Sequence, residues 1–85
     1  MTALLDEVKN AARFGEIRFV DHAEERSFER NASPRDVRAA ILSATLATLQ
    51  DNGRIRIEGG LDRDGDALNV VAKLIHRGLL VITLY

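Results

Sequence analysis

His22, Arg26 and Arg30 stand at successive intervals of four within DHAEERSFER. A helix over that stretch lays an imidazole and two guanidinium groups along a single stripe. Those residue types are sufficient for one reaction that needs no metal. In RNA the 2′-hydroxyl can attack its own phosphodiester when a base takes its proton, a cation stabilises the phosphorane and an acid protonates the leaving oxygen. Imidazole is the side chain that exchanges a proton near neutral pH. The competing explanation is structural: a histidine held at a helix start for packing, with Arg26 and Arg30 neutralised by Glu29 and Glu25 of the same helix. Residue types alone leave both open.

Other chemistries find less support. There is no cysteine, which removes disulfides and thiolate metal sites. No G-x-S-x-G elbow is present. The two histidines, His22 and His76, are far apart in sequence. Asp62, Asp64 and Asp66 superficially resemble the start of a calcium loop but lack its glutamate at the twelfth position and its flanking helices; a solvated turn is expected there. Gly59-Gly60 precedes no helix and cannot cradle a phosphate at a helix start. No metal and no cofactor are expected.

The elements that must position these groups come from a chain of 85 residues with net charge −1. Its size suits one domain, 1–85, whose burial leaves a thin stability margin. Acids and bases are interleaved, so contact with a nucleic acid must rest on a local cluster of arginines rather than on overall charge. The amphipathic, acidic start is neither a signal peptide nor a membrane span; a cytoplasmic protein is expected.

Residues 2–13 carry apolar side chains at helical spacing (Leu4, Leu5, Val8, Ala11, Ala12), with Thr2 as cap and Gly15 as a left-handed stop. Ile17 to Val20 reads as a short extended piece at a sheet edge. Asp21-x-x-Glu24 reads as a capping box opening a second helix that is mostly polar, with Ala23, Ser27 and Phe28 available for burial. Ser33-Pro34-Arg35-Asp36 opens a third helix, whose Val37, Ala40, Ile41 and Ala44 form an apolar stripe. Strands are expected at 46–50, 54–58, 68–75 and 79–85. Asn52-Gly53 turns the first pair in type I′ geometry, Gly59-Gly60 bends the second strand, and His76-Arg77-Gly78 joins the last two, which are apolar on both faces and therefore central. Helices followed by a run of strands predict an α+β fold, with the helices packed on a four-stranded antiparallel β-meander.

One set of residues carries a family resemblance. Phe19-x-x-His22-Ala23-x-x-Arg26-x-x-x-Arg30, Ser33-x-x-Asp36-Val37-x-x-Ala40-Ile41, Gly53-Arg54-Ile55-Arg56 and Val81-Ile82-Thr83-Leu84-Tyr85 together resemble the bacterial domain-of-unknown-function family 4258. The likeness runs from about Ile17 to Tyr85 and leaves residues 1–15 as an extra N-terminal helix. That family is similar to the RelE-like toxin superfamily, which includes metal-independent ribonucleases. The resemblance implies that His22 and Arg26 hold the polar motif, with Arg30, Arg54 and Thr83 beside them; a ribonuclease of this kind would use His22 and Arg26 as its catalytic pair, with Arg30, Arg54, Arg56, Thr83 and Tyr85 as substrate-binding candidates. It implies RNA as substrate and a zinc-finger or other antitoxin as partner. Two features depart from the pattern: the slight net acidity, and Asn31 where glycine follows Arg30. The other expectation is a non-catalytic protein-interaction module, in which the polar helix is a docking surface and the apolar strands seek a partner chain, such as a second copy in a homodimer.

Overall fold

The computed structural model describes residues 3–85, and the expected cap at Thr2 lies outside them. The described chain forms α1 (Ala3–Phe14), β1 (Glu16–Phe19), α2 (Asp21–Glu29), α3 (Pro34–Ser43), β2 (Leu46–Leu49), β3 (Ile55–Glu58), β4 (Val70–Ile75) and β5 (Gly78–Leu84). The α+β class follows. The sheet differs from the expected four antiparallel strands: it has five, in the order β1-β5-β4-β3-β2. Strands β2 to β5 are the anticipated antiparallel meander, while β1 runs parallel to β5. The physical reason lies in β5. Leu79 and Val81 are fully buried, so β5 is a central strand and takes a neighbour on each side; β1 supplies the second.

Glycine permits that pairing by close approach. A side chain on Gly15 would collide with the Arg77 carbonyl oxygen and the Gly78 backbone, where β1 starts beside β5. Gly15 does not take the left-handed conformation expected of it, since positive φ among the described glycines is confined to Gly53, Gly59 and Gly65.

One face of the sheet is covered. Val8 and Ala12 of α1, Ala23 of α2, and Val37, Ala40 and Ile41 of α3 form a single apolar cluster with Ile55, Ile57, Val70, Ala72, Leu79 and Val81 of the strands. Each buried Ile or Val side chain contributes about 1.5–3 kcal/mol relative to exposure. The opposite face carries the alternate residues. Val71 is only 8% exposed yet lies outside that cluster. Strand register sets Val71 in one row with Thr48, Arg56 and Thr83, and sets Lys73 in the next with Leu80 and Arg18. This second face is open.

The turns follow their residues. Asn52 and Gly53 both have positive φ, as the type I′ requirement demands, although they sit in a single 3-10 turn. Gly59 takes φ 84, and a side chain on Gly60 would strike the Ala40 carbonyl oxygen of α3, which explains the paired glycines as a bend under a close helix. A bulge opposite Val71 and Ala72 shifts the register between β4 and β5. Among the described residues no helix is long and apolar enough to cross a membrane.

Candidate functional site

The residues singled out by spacing occupy two separate surfaces. His22, Arg26 and Arg30 are exposed on or just after α2, within the helix layer. The start of that helix is not the expected capping box. Val20 occupies the cap position with extended backbone and no side-chain hydrogen bond. The cause is β1, which runs straight into the helix: the Val20 N–H is donated to the Val81 carbonyl of β5 at 3.1 Å, and the Val20 carbonyl accepts from Glu24 N–H at 3.0 Å. Asp21 is thereby drawn inside the first turn, where its charge still suits the helix dipole.

Burial on α2 is slight. Ala23 is fully buried, but Phe28, expected to join it, is 87% exposed. The far end is tied down by polar contacts instead. The Ser27 hydroxyl donates to the Ala32 carbonyl, Asn31 takes the left-handed turn with φ 53, and Arg30 Nη2 donates to the Ala67 carbonyl at 3.2 Å. The ion pairs found among the described residues join Arg18 to Glu16, Arg56 to Glu58 and Arg63 to Asp36. Neither Arg26 nor Arg30 pairs with Glu25 or Glu29, so His22 and Arg26 face solvent outside any ion pair among the described residues.

Arg56, Thr83 and Tyr85 come together on the open face of the sheet. Arg56 and Thr83 share the row through Val71. Tyr85 follows β5 and is fixed by reciprocal backbone hydrogen bonds with Asn69, at 2.9 and 3.0 Å. Its side chain crosses the start of β4, and its hydroxyl donates to Glu58 Oε2 on β3 at 2.9 Å. Glu58 Oε1 lies 3.2 Å from Arg56 Nε, in ion-pair range but without the alignment of a hydrogen bond. Burial, reinforced by the bond to Glu58, pushes the Tyr85 hydroxyl up to about 12. Tyr85 is therefore a neutral donor at physiological pH and cannot act as a base. Arg54 stands apart, exposed in the turn before β3.

Glu58 is the member that spacing did not reveal. In the alternating segment Arg54 to Glu58 it reads only as an outward charge. Its role depends on the end of β5 reaching over β4, which no local pattern encodes. Chemically, Glu58, Arg56 and Tyr85 form a carboxylate, a cation and a hydroxyl in one chain, but both carboxylate oxygens are already engaged.

The remaining polar centre serves the scaffold. Asp36 accepts from Ser33 N–H at 2.9 Å and from the Ser33 hydroxyl at 3.0 Å, while its own N–H donates to Ser33 Oγ at 3.2 Å. It also receives the Arg63 N–H at 3.3 Å and faces Arg63 Nε at 3.4 Å. The backbone N–H of Ser33, then its hydroxyl, hold the Asp36 carboxyl below its ordinary range. The carboxylate that opens the acidic turn has a similar local duty: Asp62 Oδ1 accepts from the N–H groups of Asp64 and Asp66, each at 2.9 Å. Among the described residues no group of three or more acidic or histidine side chains could hold a metal ion. His76 is an exposed turn residue.

Comparison with family models, with curated proteins and with solved structures finds no match to this chain.

Proposed function

We propose that this chain is a non-catalytic protein-interaction module. The observation that carries the reading is the division of its candidate residues. His22 and Arg26 project from the helix layer, whereas Arg56, Thr83 and Tyr85 lie on the opposite face of the sheet. A phosphodiester held by one group is out of reach of the other, and catalysis requires base and cation within hydrogen-bond reach of the same substrate. On the open face, Glu58 spends both oxygens on Arg56 and Tyr85. Meanwhile large apolar side chains, Phe14, Phe28, Leu46 and Leu49 among them, are left exposed, as surfaces that receive another chain are. The test is paired. Purified protein should leave RNA intact, and its expression should not arrest growth, with wild type and His22→Ala indistinguishable. Growth arrest relieved by His22→Ala would overturn the proposal.

A second reading, a toxin-like metal-independent ribonuclease of the RelE-like kind with an antitoxin partner, draws on one observation. His22 and Arg26 are both exposed on α2, one turn apart and in no ion pair among the described residues, so both are accessible to an approaching phosphate. Its expected result is the reverse: RNA cleaved without added metal, lost in both His22→Ala and Arg26→Ala.

A further inference from the structure

Two of the chain's three phenylalanines lie along one feature, the free edge of β1. Phe19 belongs to the strand and is half-buried. Phe28, on the side of α2 that overlooks it, is 87% exposed. Phe28, Phe19 and Ile17 share the wall of a groove of about 750 Å³ that runs along this edge. A small domain that carries so few aromatic residues and leaves Phe28 in water beside an unpaired strand has an unfilled contact there.

The backbone of the edge is unfilled at its centre. Glu16 N–H donates to the Arg77 carbonyl at 2.8 Å and Val20 N–H to the Val81 carbonyl at 3.1 Å. Parallel pairing alternates, so Glu16, Arg18 and Val20 turn their backbone groups toward β5, while Ile17 and Phe19 turn theirs outward. An outward N–H and C=O on Ile17 is the arrangement needed to pair with another strand.

The side chains specify which strand. Glu16 and Arg18 sit on the open face, both well exposed and only 3.9 Å apart at their charged tips, a weak contact at such exposure. An antiparallel copy of the same strand, centred on Ile17, sets Glu16 opposite Arg18 of the copy and Arg18 opposite Glu16 of the copy. Two opposite-charge pairs form at once and Ile17 meets Ile17; Phe19 lies opposite Gly15, whose N–H is donated to the Ala11 carbonyl and whose own carbonyl accepts from Arg38, so the backbone bonds of the seam are those of the Ile17 pair. Shifting the centre to Arg18 would set like charges face to face. The other edge strand, β2, carries Leu46 and Leu49 exposed but no charge to fix a register.

We infer that the β1 edge is a homodimer interface, in which two copies of this chain join antiparallel about Ile17 into one continuous sheet. The inference rests on the interaction-module reading and names the partner as the chain itself. With both helix layers on the same side of the joined sheet, Phe28 of each copy fills the groove above the seam. At roughly 150–250 Å² per aromatic ring, the two exposed Phe28 rings of the pair bring on the order of 300–500 Å². The paired strands, the Ile17 contact and the two charge pairs add to this, giving an interface of the small, reversible class below about 1,200 Å².

The experiment is the mass in solution by sedimentation equilibrium across a micromolar concentration series. Wild type should reach twice the 9.4 kDa of the single chain. Arg18→Glu and Glu16→Arg should each be monomeric, with association weakened roughly 10- to 100-fold as two attractive pairs become repulsive. Mixing the two variants should restore a dimer, because each reversed charge then faces its opposite. Phe28→Ser should also weaken association while leaving the circular dichroism spectrum unchanged; Leu49→Asp, on the far edge, should leave the mass unaltered. A wild type that stays at the single-chain mass overturns the inference, as does a dimer indifferent to both charge reversals or broken by Leu49→Asp alone. The mass is blind to RNA cleavage, so a His22-dependent nuclease would refute the interaction-module reading without being mistaken for a failure of the dimer.

Discussion

Helices α2 and α3 are neighbours in sequence, nearly equal in length, and built on opposite plans. The third helix begins with a complete capping box, Ser33 and Asp36 bonded reciprocally, with Pro34 at its first position, and buries Val37, Ala40 and Ile41 almost entirely. The second has no side-chain cap and buries Ala23 alone. Its position is inherited from β1 before it and from the Ser27–Ala32 and Arg30–Ala67 contacts after it. One helix is held by its own sequence, the other by its surroundings. The lesson is that the residues which fix the architecture and those left free for other duties are segregated by element, and the chemically suggestive side chains belong to the element that the fold constrains least.

Disruption should therefore be far more costly on α3. Ile41→Ala removes a fully buried side chain from the cluster and should lose about 2–5 kcal/mol in urea denaturation, enough to unfold much of the population in so small a domain. A loss below about 1 kcal/mol would mean that α3 is not the anchor. Ser33→Ala should cost about 1 kcal/mol through the lost cap, read as a drop of roughly 4–8 °C in Tm.

The same box predicts an acid sensitivity. Because the Asp36 carboxyl is held below its ordinary value of 3.8, the folded state binds its proton less readily than the unfolded state does. Its stabilisation is complete above that value and is lost as pH falls through it toward the lower folded value. Denaturation series at mildly and strongly acidic pH should show a steeper acid loss for wild type than for Asp36→Asn. Equal slopes would remove the box from the account.

Tyr85 gives a spectroscopic check on the open face, since it is the chain's single tyrosine. Absorbance titration should place its midpoint at about 12, with a downward move in Glu58→Gln as the carboxylate is neutralised. A folded pKa raised in this way favours folding below the ordinary value near 10 and loses that support as pH climbs through 12. The smallest effects belong to α2: His22→Ala and Arg26→Ala should each stay within about 0.5 kcal/mol of wild type. A larger loss would show that the second helix is more than a passenger.

Legibility in the sequence followed the same division. The α3 cap, its apolar stripe and the meander of β2 to β5 are encoded by residues within a few positions of one another, and local patterns reach them. Ile17 to Val20 was legible as an extended piece at a sheet edge, and β1 is an edge strand; its parallel pairing with β5 was not legible, because Ile17 and Phe19 find β5 only through tertiary contact. The cap of α2 misled for a related reason. Asp21 and Glu24 have the chemistry of a capping box, but Val20 had already been claimed by Val81. Of the seven candidate site residues, no local pattern shows that His22 and Arg26 lie across the sheet from Arg56, Thr83 and Tyr85, since helix periodicity and strand alternation each describe one element and not their mutual placement.

The β1–β5 pairing has a kinetic consequence. It matches Ile17 with Leu79, so partners about sixty residues apart must meet before this edge of the sheet exists, and contacts of such long range slow folding. The meander of β2 to β5 can form from near neighbours, but β1, and α2 which hangs from it, must wait for the last strand. During synthesis, the segment bearing His22 and Arg26 leaves the ribosome early and acquires its place among the last.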